Sequence, residues 1–106
     1  MPSVIQVVTT TDKKEDAERI ARTLVESRLA ACVQLIGPVF STYRWKGRVE
    51  TAEEWQCWAK TEEGFYEEVE KAIRAIHPYE LPEIVAIPVL RGNPEYMAWL
   101  CGELRG

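Results

Sequence analysis

Val39-Phe40-Ser41-Thr42-Tyr43-Arg44-Trp45, then Lys46-Gly47, then Arg48-Val49-Glu50-Thr51-Ala52-Glu53-Glu54-Trp55-Gln56-Cys57-Trp58-Ala59-Lys60, is the stretch whose reading decides the fold. Both runs are rich in β-branched and aromatic residues, which suit a pleated, half-buried surface. The Lys-Gly pair between them reads as a tight hairpin turn; Gly fits the second central position, Lys is not the usual first, and the turn type stays open. The returning arm, Arg48 to Lys60, has thirteen residues, which at about 3.3 Å each reach roughly 43 Å. A compact chain of this size has a radius of gyration near ~13 Å and a diameter of roughly 33 Å. The hairpin is therefore expected to overhang its own core, leaving Tyr43, Trp45, Trp55, Trp58 and a row of edge groups to be covered. Strand addition from other copies of the chain in a symmetric homo-oligomer would cover both. The alternative is that Gly37-Pro38 folds the hairpin back on its own domain.

Working outward, Ser3–Thr9 is apolar on both parities, as expected of a central strand covered on both faces. Asp12 as N-cap and Glu15 three residues on predict a helix with Ala17, Ile20, Ala21, Leu24 and Val25 inward, ending near Arg28. A second strand starts at Leu29 and continues through Gly37-Pro38, where a bulge or bend is needed because Pro cannot donate to a ladder. After Lys60, Thr61 caps a second helix with Glu62 and Glu63 in its first turn and Phe65, Val69, Ala72, Ile73 and Ile76 as its buried stripe. His77-Pro78 ends that helix. Glu83–Leu90 is a fourth strand, placed at an edge or ending near Pro88. Asn93 and Pro94 open a terminal helix that runs to about Leu104. The order β-α-β-β-α-β plus a helix is the α+β, ferredoxin-like arrangement, two helices on one face of an antiparallel sheet.

The 106 residues are 46% apolar and 28% charged, the make-up of one folded domain spanning 1–106. The longest apolar run, Ile84 to Leu90, has seven residues, against the roughly 20 of a membrane helix, so no membrane insertion is expected. Met1-Pro2-Ser3-Val4 lacks the basic stretch and apolar block of a secretory signal, and a cytoplasmic setting is expected. Thirteen Lys and Arg against seventeen Asp and Glu give a net charge of −4, the wrong sign for a nucleic-acid partner. Cys32, Cys57 and Cys101 are odd in number and widely spaced, as expected of reduced thiols.

Chemistry narrows further by elimination. The loop Thr9–Lys14 carries neither the Cys pair of a copper-carrying metallochaperone nor the Arg of an acylphosphatase, and the first strand lacks the stacking aromatics of an RNA-recognition module. His77 is the single histidine, and the spacing places no nucleophile beside it, so no enzyme is expected. Cys32 sits among Ala30, Ala31 and Val33 as a packing residue would, and Cys57 and Cys101 read the same way. No two-residue or helical metal-ligand spacing occurs. His77-Pro78-Tyr79-Glu80 reads either as a wall of a ligand or cation pocket or as a helix stop in which His77 caps the carbonyls. Glu50, Glu53 and Glu54 would serve as a solvated face, with Glu54 able to pair with Lys60 in an aromatic groove between subunits.

Leu29-Ala30-Ala31-Cys32-Val33, Tyr43-x-Trp45-x-Gly47 followed by Glu50 and Glu54, Lys60-Thr61, His77-Pro78-Tyr79-Glu80-x-Pro82-Glu83, and Gly92 with Tyr96 and Trp99 together resemble the CutA family of divalent-cation tolerance proteins. The resemblance implies a homotrimer built through the long hairpin, a role in tolerance of copper or another divalent cation by stoichiometric binding, and a shape similar to the PII signalling proteins. Under that likeness, Tyr43, Trp45, Glu54, Lys60 and Tyr79 line a cleft between subunits, with His77 and Cys32 as candidate metal ligands. The alternative it leaves is a PII-like regulatory trimer that takes a small molecule or partner segment in the same clefts. In some family members copper ligation is attributed to a Cys ending the first strand and to two adjacent histidines before Pro-Tyr; here Thr9 and Ile76 stand at two of those three positions.

Overall fold

Val4–Thr11 (β1) is buried along its whole length except at Gln6, the consequence of apolar and threonine side chains on both parities. It lies between Arg48–Glu62 (β3) and Ile84–Pro88 (β4), and Cys32–Trp45 (β2) flanks β3, giving the antiparallel order β2-β3-β1-β4. Lys14–Glu26 (α1), Tyr66–Ile76 (α2) and Pro94–Glu103 (α3) complete the chain. This computed structural model describes residues 3–105; Met1 and Pro2, the first half of the start considered above, and Gly106 lie outside the described residues. The expected ferredoxin-like order is present, with β1 central and β4 an edge strand ending at Pro88.

One face of the sheet carries the main core: Ile5 and Val7 of β1 and Cys57 and Ala59 of β3 pack on Ala17, Ile20 and Leu24 of α1 and Val69 and Ile73 of α2. The Cys57 thiol donates to the Ala17 carbonyl at 3.4 Å, and burial pushes it up to about 12, so it is a packing group and not a nucleophile. Val4 points to the other face, where Leu100 and Leu104 of α3 cover it. Elsewhere on that face Val8 is buried, whereas Ile36, Val85 and Ile87 are exposed.

The hairpin projects as its length predicts. The molecule measures 45 × 25 × 21 Å, and on the part of the hairpin beyond Gly37-Pro38 Phe40 and Val49 are 74% and 65% exposed. Gly37-Pro38 does not fold the arm back; it makes the register shift between Ile36 and Val39, after which pairing resumes at Val39–Glu54 and runs to Trp45–Arg48. Lys46 and Gly47 both take positive φ, 51° and 78°, as a type I′ turn requires, and the Lys46 ammonium lies 5.7 Å from the Trp45 ring centroid.

Three local expectations are corrected. Asp12 does not cap α1: the N-cap is Lys13, without a side-chain cap, and Thr11 Oγ1 instead donates to the Lys13 carbonyl at 2.7 Å. Thr61 does not cap α2. It lies inside β3 opposite Ile5, and its buried hydroxyl donates to the Leu29 carbonyl at 2.7 Å; a short 3₁₀ turn, Glu63–Phe65, intervenes before the helix, so Glu67 and Glu68 hold the dipole-favoured first turn. The second strand begins at Cys32, not Leu29, because Leu29 closes α1. Arg28 adopts φ 62°, its amide donates to the Val25 carbonyl and that of Leu29 to the Leu24 carbonyl, a Schellman closure whose Leu24 and Leu29 both enter the core. Arg28 Nε then donates to the Glu103 carbonyl at 2.8 Å, fastening the ends of α1 and α3 together.

Two substitutions test this frame. A Cβ at Gly37 would stand 2.6 Å from the Trp55 ring, so Gly37→Ala should lower stability by about 1–3 kcal/mol through overpacking, measured by chemical denaturation. Asn93 Oδ1 accepts from the Tyr96 amide at 2.7 Å; Asn93→Ala should cost about 1 kcal/mol, the usual worth of an N-cap, whereas an unchanged midpoint would show that α3 is held by packing alone.

Candidate functional site

The bulge at Gly37-Pro38 decides where the polar site forms. Immediately past it, Glu54 pairs with Val39 on the face opposite the main core, at the point where the hairpin leaves the body of the domain. Beside it β1 runs past β4: their pairing ends at Thr9–Ile84, so Thr10 and Thr11 have β3 on one side only. Into that opening comes the segment after α2. Pro78 forces His77 out of helical geometry, to φ −73° and ψ 135°, and the chain turns from the helix end toward the free edge of β1.

Three of the sequence-predicted residues meet there. The Tyr79 hydroxyl donates to Glu54 Oε2 at 2.7 Å, a charge-assisted bond, and Glu54 is only 7% exposed. His77 Nδ1 accepts from the Tyr79 amide at 3.0 Å, and His77 Nε2 lies 2.8 Å from the Thr10 carbonyl oxygen, to which it donates. The two rings meet edge to face with centroids 4.8 Å apart. Arg19 supports the same corner by donating to the Ile76 carbonyl at the end of α2, 3.0 Å away. His77 therefore does not cap the helix carbonyls with its ring, the simpler of its two sequence readings; its ring serves the following loop.

The electrostatics follow from this packing. Burial raises the Tyr79 phenol above the ordinary tyrosine range, reinforced by its bond to Glu54, by the Glu54 and Asp12 charges and by Tyr43. Burial likewise lowers His77, outweighing the opposing pull of the Thr10 carbonyl and of Asp16, Glu54 and Asp12. Asp12, just before α1, and Asp16, in its first turn, thus act on the site, a contribution that only the packing of this segment beside His77 reveals.

Tyr43 acts on the Tyr79 phenol from β2, whereas Lys60, Trp45 and Cys32 lie elsewhere in the subunit. Lys60 does not pair with Glu54: its Nζ donates to Gln34 Oε1 at 2.6 Å, and six residues of strand, about 20 Å, separate it from Glu54. Trp45 pairs with Arg48 at the hairpin tip. Cys32 is half-buried, opposite Lys60 and beside Tyr96, where it raises the Tyr96 phenol after burial has done so. Cys32 registers with Gln6 through Lys60 and His77 with Thr10; four residues of β1, about 13 Å, lie between them. They do not form a common metal site within one subunit, and no group of three His, Cys, Asp or Glu converges among the described residues.

Copper at the family's ligand positions is also a poor fit to the donors present. Both His77 nitrogens are engaged, and Thr9, where a soft thiolate would be needed, offers a hydroxyl that is buried without a hydrogen-bond partner on the core side of the sheet. A separate apolar groove runs between β4 and α3, lined by Val4, Tyr66, Pro88, Val89, Met97 and Cys101; it shares none of the predicted site residues.

The burial of His77 carries a pH dependence. Its ordinary value is 6.5 and the folded value is lower, so the unfolded chain takes up the proton first; the neutral ring's contribution to stability is complete above about pH 6.5 and declines as pH falls below it. Because the chain has one histidine, His77→Asn should flatten that part of the acid limb, read from urea midpoints at stepped pH.

Comparison with known proteins agrees with this architecture. Residues 5–103 match the family model described as CutA1 divalent ion tolerance protein. Over 94 residues the chain is 43% identical to the divalent-cation tolerance protein CutA of Thermus thermophilus, covering 89% of this chain and 91% of that protein. It is 41% identical over 98 residues to the protein CutA of Mus musculus, covering 92% of this chain and 55% of the mouse protein; the chain spans about half the length of that relative. The crystal structure of CutA1 from Oryza sativa superposes with a TM-score of 0.95 at 34% identity, over 98% of this chain and 95% of that one. The motifs strung from Leu29 to Trp99 thus sit in the fold their order suggested, and this chain belongs to the CutA1 family of divalent ion tolerance proteins.

Proposed function

We propose that this protein acts as a homotrimer joined through the β2–β3 hairpin and contributes to divalent-cation tolerance by stoichiometric binding in the clefts between subunits. The observation that carries the proposal is the hairpin itself: strands of fourteen and fifteen residues whose outer half has no helix against it, continuous with an open sheet face bearing Ile36, Val85 and Ile87. Apolar strand surface of that extent is covered in a stable protein, and a symmetric ring of copies is the economical cover. Assembly is also what could bring a neighbour's Trp45 or Lys60 toward the Glu54–Tyr79 pair, which the isolated subunit leaves apart.

Copper or another divalent cation is the proposed ligand class, supported by the name of the Thermus thermophilus relative, a divalent-cation tolerance protein. Because one subunit's His77 and Cys32 lie far apart, the proposed ligands are donors brought together across the interface, with the nearly buried Glu54 carboxylate among them. Binding without turnover is favoured by the engagement of the single imidazole at both nitrogens and by the inert, buried Cys57 thiol. Three free cysteines support a reducing, cytoplasmic setting.

Native mass spectrometry with and without added Cu²⁺ tests the proposal. The expected species has three times the 12.2 kDa chain mass and carries up to one copper per subunit. A monomer would overturn the assembly, and a trimer that takes up no cation would overturn the binding role. Charge placed on the open face, as in Val85→Lys, should shift the trimer toward monomer, read by the same measurement.

A further inference from the structure

His77 is held at both ring nitrogens in opposite senses. Nδ1 accepts from the Tyr79 amide at 3.0 Å, so it carries no proton; the proton is on Nε2, which donates to the Thr10 carbonyl at 2.8 Å. An imidazole in this state has no free electron pair. A metal at Nδ1 would have to displace the Tyr79 amide from a part-buried position, and one at Nε2 would have to remove the proton and break the bond to β1. The Nε2 bond instead anchors the ring to β1, and the Nδ1 bond acts on residue 79. The amide bond and the edge-to-face ring contact set the direction in which Tyr79 leaves the backbone, and its hydroxyl ends 2.7 Å from Glu54 Oε2. The path Thr10, His77, Tyr79, Glu54 therefore links the end of β1 that β4 leaves free to the first residue pair of the hairpin beyond the bulge.

We propose that in this chain His77 is a positioning residue and not a metal ligand: its Nε2–H tautomer holds the Tyr79 hydroxyl on Glu54 and so sets the polar corner where the hairpin leaves the domain. The assignment stands independently of cation binding elsewhere on the assembled protein. It concerns which atoms of His77 are available, and a trimer that binds copper through carboxylates or not at all is equally compatible with it.

The single histidine makes the test direct, because the imidazole region of a long-range ¹H–¹⁵N spectrum holds one spin system. At neutral pH the intact protein should show the Nε2–H tautomer, and substoichiometric Zn²⁺, a divalent cation that causes no paramagnetic broadening, should leave both imidazole ¹⁵N shifts in place. The Nδ1–H tautomer, or a shift of an imidazole ¹⁵N resonance to a metal-ligated value at the first additions of Zn²⁺, would overturn the assignment. The positioning role is read at Tyr79 Cζ, whose ¹³C shift reports the bond to Glu54. His77→Ala should move it as far as Glu54→Gln does. His77→Asn, whose carboxamide oxygen can accept from the Tyr79 amide in place of Nδ1, should restore it by half or more. A Tyr79 resonance unmoved in His77→Ala would overturn the positioning role, and if that variant fails to fold, the tautomer and zinc response of the parent still decide whether His77 is a ligand.

Discussion

The pairing of β2 with β3 is the constraint on which the rest of the structure depends. At about 3.3 Å per residue, the fourteen steps along the fifteen residues of β3 extend to roughly 46 Å, about the full length of the molecule. The thirteen and eleven residues of α1 and α2, at about 1.5 Å each, span only roughly 20 and 17 Å. Two helices of that length cover the inner half of the hairpin and cannot reach the outer half. The inner half accordingly supplies Cys57 and Ala59 to the core, whereas the outer half presents Phe40 and Val49 to solvent in the isolated subunit. The uncovered length follows from strand and helix rise, and it is the physical ground for placing function between subunits.

The transition between those halves is where the polar chemistry gathers. The bulge at Gly37-Pro38 shifts the register, and the approach of the Trp55 ring to Gly37 leaves no room for a side chain there. One residue pair further on lies Glu54, almost buried, a position in which a carboxylate needs a donor. Tyr79 is that donor, and its placement depends on the break at Pro78 and on His77 bridging back to β1. Four elements converge on a corner that no single stretch of sequence encodes. The consequence for family chemistry is specific: the one imidazole that could hold a soft cation is spent on architecture.

Much of the fold is legible in the residues. The two-sided burial of β1, the edge position of β4, the Asn93-Pro94 helix start and the projecting hairpin follow from composition on each parity, from proline's missing donor and from strand rise. Thr61 and Asp12 each carry a side chain able to cap a helix, but Thr61 is paired with Ile5 inside the sheet, where its hydroxyl finds the Leu29 carbonyl, and at the start of α1 the side-chain contact is the local one from Thr11 to the Lys13 carbonyl. Leu29 looks like the start of a strand because it is apolar and followed by strand formers, and it is instead drawn into the Schellman closure by Arg28 at positive φ.

The site divides in the same way. The sequence by itself determined the order of elements and the family, and it singled out Glu54, His77 and Tyr79 among its candidates, because binary pattern, punctuation by Gly and Pro, and motif spacing are local properties. Only the tertiary structure decided that Glu54 is satisfied by Tyr79 and not by Lys60, that both nitrogens of His77 are occupied, and that Cys32 lies far along the sheet from it. Hydrogen-bond partnership is a property of distance and direction in space; residues twenty-five positions apart in the chain meet because the sheet register, the bulge and the helix stop at Pro78 bring their backbones to one corner.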